Sequence, residues 1–264
     1  MSRPKRVVAL GDTHTGHLAG LTPPDFFEGR NSKLWRKVRK LNEECWAAFR
    51  KIIHKLQPID ILVVNGDAIE GPGSSSRTGA TELIITDLGE QQRAAVQVIS
   101  TVNAKRVFFT YGTPYHTTAL GTDMERKIAE AFGGDIQAQQ NLDVNGLVFN
   151  CRHKVSNSIV PYGGFTAVAR DLLWNHMWAD TGEAPEADVL IRSHIHHYAF
   201  CGDNRGLAMT LPALQAPMTK YGGRQCVSIV EWGLVHFDVT NKEEYAWQSH
   251  LVHLAGVKRR ATKV

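Results

Sequence analysis

The chain has 264 residues, of which 43% are hydrophobic and 21% are charged, and its formal net charge is +4. These values are those of an ordinary soluble globular protein. The longest apolar runs have the length of strands, which excludes a membrane-spanning helix, and the N-terminus lacks the apolar segment of a secretory signal. The four cysteines are scattered without C-x-x-C spacing, as in a protein of a reducing compartment. We therefore expect a cytoplasmic protein.

The first part of the chain alternates strand and helix patterns. An apolar run predicts a strand over residues 6–11, and a Gly- and Pro-rich connection follows over residues 17–32. Apolar residues at helical spacing predict a long helix over residues 33–56. A second buried strand over 60–65 leads into a Gly/Ser-rich loop over 70–80.

The second part continues the alternation. Thr122 and Glu125 have the spacing of a capping box, and Asn145-Gly146 is a typical hairpin turn. The alternation predicts α/β architecture, and we expect one domain over residues 1–264 that ends in a basic tail over 254–264. The remaining predicted elements are helices over 88–103, 122–132 and 164–178, strands over 105–111 and 187–193, a hairpin over 141–155, and β segments at 198–201, 206–211 and 225–239.

Residues that commonly bind metals follow the predicted strands. The carboxyl ends of neighbouring strands meet at one edge of an α/β sheet, so residues released there can converge on one site. Carboxylates and imidazoles together suit manganese, iron or zinc rather than calcium. One Asp-x-His segment alone would be weak support for a metal site, but several such segments in order predict one. The segments are Asp12-Thr13-His14, Gly66-Asp67, His116, His153 and His194-Ile195-His196.

The spacing within two of these segments suggests paired ligands. Residues i and i+2 of an extended segment point the same way. We therefore expect Asp12 with His14, and His194 with His196, to aim at common points. Asp67 follows a glycine as a lone carboxylate, where one oxygen could bridge two cations.

These ordered segments resemble the motifs of the calcineurin-like metallophosphoesterases. That family has D-x-H, GD-x-x-D, GNH-[DE], a lone His and GH-x-H, and the resemblance covers about residues 6–200. It implies a two-sheet α/β sandwich flanked by helices and a site with two divalent metal ions. By resemblance, Asp12, His14, Asp67 and His196 would hold the first ion, and Asp67, His153 and His194 would hold the second.

Three positions depart from the family pattern. Glu70 replaces an Asp and Ser193 replaces a Gly, and both changes are conservative. The family Asn that binds the second ion is absent, because Thr113 stands in its position and the following His is displaced to His116. Either His116 binds the second ion, or it is the catalytic residue that acts on the phosphate and leaving group. Thr113 and His17 are further candidates to bind a metal or contact its ligands.

The resemblance implies a hydrolase of phosphate esters that uses a water activated by two metal ions. We expect manganese, with zinc, iron or nickel as alternatives. A phosphodiesterase or nuclease is favoured over a protein phosphatase because basic residues are clustered. The alternatives are a phosphatase of nucleotides or small phosphomonoesters, and a non-catalytic binding scaffold of the same fold.

The positive charge is concentrated in two places. Lys33, Arg36, Lys37 and Lys40 share a helix face, and the C-terminal tail is also basic. Such patterns are more typical of a solvated surface than of a contact with nucleic acid or another polyphosphate. Arg77, in the Gly/Ser-rich loop, is a candidate phosphate contact. We expect a phosphoester substrate and no membrane contact, and no feature of the sequence specifies an oligomeric state.

Overall fold

The computed structural model describes residues 3–27, 33–72, 82–119, 122–156, 163–217 and 229–255. Two β-sheets form the centre of these residues, with helices on their outer faces. The first sheet has six strands, with a parallel core and an antiparallel edge. Its strands, from edge to edge, are β13 (Tyr245–Val252), β12 (Trp232–Val239), β1 (Lys5–Leu10), β2 (Ile61–Asn65), β3 (Arg106–Thr110) and β6 (Ile136–Gln137).

The second sheet has five strands, of which the central three are parallel. A two-stranded ribbon, β4 (Thr118–Ala119) with β5 (Thr122–Asp123), lies outside both sheets. The strands of the second sheet, in order, are β10 (Ala199–Gly202), β11 (Leu207–Thr210), β9 (Val189–Arg192), β8 (Leu147–Cys151) and β7 (Gln140–Val144).

Residues of β1 alternate between two cores. Val7 and Ala9 pack between the sheets with residues such as Phe149, whereas Val8 and Leu10 pack against the helices. Both faces of the sheet are covered at β1 and β2, which explains why these two central strands contain continuous apolar runs. The helices are α1 (Lys33–Leu56), α2 (Leu88–Val102), α3 (Pro114–Thr117), α4 (Met124–Glu130) and α5 (Gly163–Asp180), with a 3-10 helix over Pro24–Phe27.

The outer layers follow from the same alternation. The buried stripe of α1, which includes Val38, Cys45 and Phe49, joins the core on the outer face of the first sheet. Val168 and Leu172 of α5 pack on the outer face of the second sheet against Leu190. The predicted two-sheet α/β sandwich flanked by helices is therefore confirmed.

Several local predictions need correction. The N-cap of α4 is Asp123, whose side chain accepts from the Arg126 amide, so the expected capping box does not form. The hairpin is confirmed, but its second arm ends at Cys151, and His153 lies beyond it. The strand β13 was not predicted. No helix among the described residues is long and apolar enough to cross a membrane.

Candidate metal centre

The candidate ligands lie at the carboxyl ends of five strands. Asp12 and His14 follow β1, and Asp67 follows β2. Thr113 and His116 follow β3 in the same way, while His153 follows β8 and the His194–His196 segment follows β9. Because β1, β2 and β3 are parallel neighbours, and β8 and β9 are also parallel neighbours, each sheet contributes ligands from a single edge.

The ligand segments are not extended, which corrects the geometry expected from i and i+2 spacing. Backbone φ is positive at five candidate ligands, where most non-glycine residues are strained. The only other described non-glycine residues with positive φ are Asn103 and Asn145, at a helix end and a hairpin turn. The chain thus turns sharply at each of these five residues, whereas φ at His153 is not positive. The φ values are 52° at Asp12, 43° at His14, 52° at Asp67, 76° at His194 and 55° at His196.

Asp12, His14 and His196 form the first cluster, with one donor atom from each within 4.8 Å of the others. Asp12 Oδ1 lies 3.2 Å from His196 Nε2 and 3.9 Å from His14 Nε2. Asp12 Oδ1 and His14 Nε2 are both buried, and neither makes a hydrogen bond to any described residue. Unsatisfied buried polar atoms are rare, so this pair requires an explanation.

Glu70 sets the orientation of the His14 ring. Its Oε2 lies 2.8 Å from His14 Nδ1, so Nδ1–H donates and Nε2 carries the lone pair. Burial lowers the pKa of His14, despite the opposing effect of Glu70, and this favours the neutral ring. The lone pair of His14 Nε2 therefore has no described hydrogen-bond donor and lies 3.9 Å from the Asp12 carboxylate, an environment that a cation would satisfy.

Asp67 connects the first cluster to a second one. Its Oδ2 lies 3.9 Å from His14 Nε2 on one side and 3.1 Å from His153 Nε2 on the other. Asp67, His153 and His194 form a cluster with donor atoms within 4.8 Å of one another. The backbone carbonyl of Asn65 lies 2.8 Å from His153 Nδ1 and orients that ring as Glu70 orients His14.

Each cluster contains one histidine whose pKa is lowered and one whose pKa is raised. Burial lowers the pKa of His194, as it does for His14. For His153, the effect of burial is overcome by the Asp67 carboxylate, which raises its pKa to about 10. Asp12 raises the pKa of His196 against the effect of burial. Without a cation, protons on His153 and His196 would balance part of the carboxylate charge.

Thr113 lies inside the second cluster. Its Oγ1 is 3.1 Å from Asp67 Oδ2, 3.4 Å from His153 Nε2 and 3.2 Å from His194 Nδ1. Its backbone amide also donates to Asp67 Oδ1 over 2.5 Å. The Thr113 hydroxyl thus contacts all three residues of the second cluster, Asp67, His153 and His194.

His116 lies with the first cluster. One ring nitrogen of His116 lies within 4.8 Å of donor atoms of His14 and Asp67. The centroid of the His116 ring is 4.7 Å from that of His14. Its Nδ1 is 2.6 Å from the Glu70 carbonyl oxygen. Among the described residues, the histidines that lie within 3.4 Å of Thr113 Oγ1 are His153 and His194.

Two residues near the ligands were missed by sequence reasoning. The buried Glu125 accepts hydrogen bonds from the amides of Ala68 and Gly112, next to Asp67 and Thr113. Burial raises the pKa of Glu125 to about 7. Asn65 joins strand ends through its side chain, which donates to Ser193 Oγ and accepts from Thr110 Oγ1. Asn65 could have been recognised as a polar residue at the end of the apolar strand β2. The role of Glu125 could not, because its position in the sequence matches a capping box.

The remaining candidates lie apart from the clusters or outside the described residues. His17 is buried, its Nδ1 accepts from the Ala19 amide, and it belongs to none of the described clusters. Arg77 and residues 256–264 of the basic tail lie outside the described residues. On α1, Arg36 and Lys40 are exposed.

The histidine and aspartate clusters could bind metal. Imidazole nitrogens and carboxylate oxygens at short mutual distances, oriented by Glu70 and the Asn65 carbonyl, are what a transition-metal site contains. Their strained backbone is also typical of functional sites.

No protein-family model matches the chain, and no curated protein sequence does either. Similar solved structures include an archaeal phosphodiesterase, 14% identical with a TM-score of 0.45 over 93% of this chain and 99% of that one. Vps29 from Cryptosporidium parvum is 10% identical, with a TM-score of 0.48 over 95% and 100%. A predicted phosphoesterase from Streptococcus pneumoniae is 9% identical, with a TM-score of 0.39 over 95% and 99%. Likeness at this level carries no functional assignment.

Proposed function

We propose that the protein is a metal-dependent phosphoesterase with two metal ions. The observation that carries this proposal is the pair of adjacent clusters that meet at one oxygen of Asp67. Asp12, His14, Asp67 and His196 would hold one ion, and Asp67, His153 and His194 would hold the other. When bound, two such ions neutralise phosphoryl oxygens and lower the pKa of the attacking water.

The donor set suits manganese, and also zinc, iron or nickel. Imidazoles mixed with carboxylates favour these ions over calcium and magnesium, which prefer oxygen ligands alone. Manganese, which accepts more carboxylate and water oxygen than zinc does, is our first choice.

His116 would act on the substrate rather than on the second ion. Its ring lies against His14, on the side of the first cluster, and its Nδ1 is positioned by the Glu70 carbonyl. A ring held in this way can stabilise the phosphoryl oxygens or give a proton to the leaving oxygen. His194 and His196 are partly exposed, so we expect a phosphoester to approach the centre from their side.

We favour a phosphodiester or nucleic acid as the substrate. We also favour the cytoplasm as the location of the protein. The exposed Arg36 and Lys40 on α1 support an anionic polymer more than a small phosphomonoester. A non-catalytic scaffold is the alternative from another class, and only turnover separates it from the enzyme.

A substrate panel tests the proposal. Chelator-stripped protein, reloaded with Mn²⁺, is expected to cleave a chromogenic phosphodiester and single-stranded DNA faster than a phosphomonoester. Binding of two ions without turnover on any of these substrates would support the scaffold. Faster cleavage of the monoester would replace the nuclease assignment by a phosphatase.

A further inference from the structure

We infer that the Thr113 hydroxyl binds the second metal ion directly, which makes the second site the weaker of the two. This inference rests on the proposed dinuclear centre. Thr113 would bind the ion in place of the Asn side chain that the resembling family motif has at this position. His116 would not be a ligand of the second ion.

The spacing of the donor atoms supports direct binding. For ligand distances of about 2.0–2.1 Å, the ligands of a tetrahedral site lie about 3.3–3.4 Å apart. Thr113 Oγ1 lies 3.1–3.4 Å from Asp67 Oδ2, His153 Nε2 and His194 Nδ1. Asp67 Oδ2 and His153 Nε2 are 3.1 Å apart. Donor atoms of His194, Asp67 and His153 lie within 4.8 Å of one another. The four donors can therefore surround one small cation.

The backbone around Thr113 fits a short side chain. A threonine oxygen is bonded directly to Cβ, whereas an asparagine oxygen lies one carbon further away, so threonine reaches a given point only if its backbone comes closer. At Gly112, an added Cβ would clash with both the amide nitrogen and Oδ1 of Asp67, so a larger residue is excluded there. The hydrogen bond from the Thr113 amide to Asp67 Oδ1 shows the same close approach.

Glu125 keeps this loop against the site. Its two carboxylate oxygens accept from the amides of Ala68 and Gly112, which tie the turn after β2 to the turn after β3. Asp67 directly precedes Ala68, and Thr113 directly follows Gly112. Thr113 is therefore held at both its own amide and its neighbour, and its hydroxyl needs little reordering to bind an ion.

The charges of the two ligand sets differ. The first set contains two carboxylates, Asp12 and the shared Asp67, whereas the second contains only the shared one. A neutral hydroxyl adds no charge, and an ion in the first set repels a second ion nearby. We therefore expect sequential binding, with the first set filled first and the second filled at a higher metal concentration.

Titration with Co²⁺ tests the assignment without an activity assay. We would titrate the chelator-stripped full chain by calorimetry and follow visible absorption, which is strong for tetrahedral cobalt. Wild type and Thr113→Ser are expected to show two binding steps. Thr113→Val, of nearly the same shape, should retain the first step and lose the second, or weaken it by at least about tenfold. Thr101→Val, which removes a hydroxyl that donates to the Gln97 carbonyl in α2, is the matched control.

Each outcome decides a separate point. A second step that is unchanged in Thr113→Val, while wild type binds two ions, would overturn this inference and leave the phosphoesterase proposal standing. A wild type that binds no Co²⁺ would overturn both. The retained first step shows that the variant is folded, and Thr113→Ala gives a second test of the missing hydroxyl.

Discussion

At the residue scale, the candidate ligands combine strained backbone with two unsatisfied side-chain atoms. Five candidate ligands have positive φ, a conformation that costs of the order of 1–3 kcal/mol at each residue. Asp12 Oδ1 and His14 Nε2 are buried without a hydrogen bond to any described residue. Both costs are explained if these residues are selected for binding a cation rather than for the stability of the metal-free chain.

His116 is predicted to serve chemistry rather than metal binding. His116→Ala should retain both ions and lose about 10²–10⁴-fold in turnover, the usual contribution of a general acid. The loss should be larger for a substrate with a poor leaving group, because such a substrate depends most on protonation. Turnover and metal content are measured together, with the exposed His253→Ala as the control.

Two results would contradict that role for His116. A drop from two bound ions towards one would make His116 a ligand. Unchanged turnover would remove it from the mechanism altogether.

Metal binding is predicted to release protons. The pKa of His153 is raised to about 10, so its ring is protonated in the metal-free protein at neutral pH. An ion needs the Nε2 lone pair and must displace this proton, so affinity for the second ion should rise with pH between 6 and 9, by up to about tenfold per unit. Calorimetry in buffers of different ionisation enthalpy would count about one proton for that ion. A pH-independent affinity would show that His153 is not a ligand.

At the element scale, α5 is attached to the second sheet through a buried ion pair behind the ligands. Asp171 Oδ2 accepts from Arg192 Nε over 2.6 Å and from the Arg152 guanidinium over 2.8 Å. Arg192 is almost completely buried and lies two residues before His194, and Arg152 directly precedes His153. The helix therefore fixes the ends of β8 and β9 where they release their ligands.

Removing Asp171 is predicted to destabilise the fold. Asp171→Ala leaves the Arg192 guanidinium buried without its carboxylate, which should lower the free energy of unfolding by about 3–5 kcal/mol. Glu43→Ala, which breaks the exposed Arg39–Glu43 pair on α1, is the control and should cost no more than about 0.5 kcal/mol. Urea unfolding followed by circular dichroism measures both. Equal stability of the two variants would show that the buried pair contributes nothing.

The sequence predicted the strands well where both faces of a strand are buried. The continuous apolar runs of β1, β2, β3 and β9 identified buried strands, and the polar residues after them are the candidate ligands. The strand β13 was missed because its residues are half exposed and mix aromatic with polar side chains. The α4 cap was assigned wrongly because Glu125 has the spacing of a capping residue but contacts amides on two other loops, which no local pattern reveals.

At the scale of the whole molecule, the order of the motifs predicted one site, but not the contacts within it. The sequence left His116 and Thr113 as alternatives for the second ion. Only the tertiary structure brings Thr113 Oγ1 within 3.4 Å of His153 and His194, because these residues come from two different sheets. Long-range contacts of this kind depend on how the sheets pack, which a local pattern does not encode.

Binding of nucleic acid is predicted to depend on the basic face of α1. Replacing Arg36, Lys37 and Lys40 by Gln should weaken binding of duplex DNA and reduce the slope of log affinity against log salt by up to about 2.7, or about 0.9 for each phosphate that the protein no longer neutralises. Replacing Arg50, Lys51 and Lys55 at the other end of α1 removes the same charge and is the matched control. Binding by fluorescence anisotropy at several salt concentrations provides the slopes. Equal slopes for the two triple variants would make the face an ordinary solvated surface.

The effect of Asp67 on metal-dependent turnover tests the proposed dinuclear phosphoesterase centre. One oxygen of Asp67 faces both clusters, so the loss of its charge should affect both ions. Chelator-stripped wild type reloaded with Mn²⁺ should hydrolyse bis(p-nitrophenyl) phosphate, and Asp67→Asn should lose on the order of 10³-fold or more of that rate, equivalent to several kcal/mol of transition-state stabilisation. A folded wild type without turnover in Mn²⁺, Zn²⁺, Fe²⁺, Ni²⁺ or Co²⁺ would exclude a phosphoesterase, and an Asp67→Asn variant as active as wild type would exclude the shared role of Asp67.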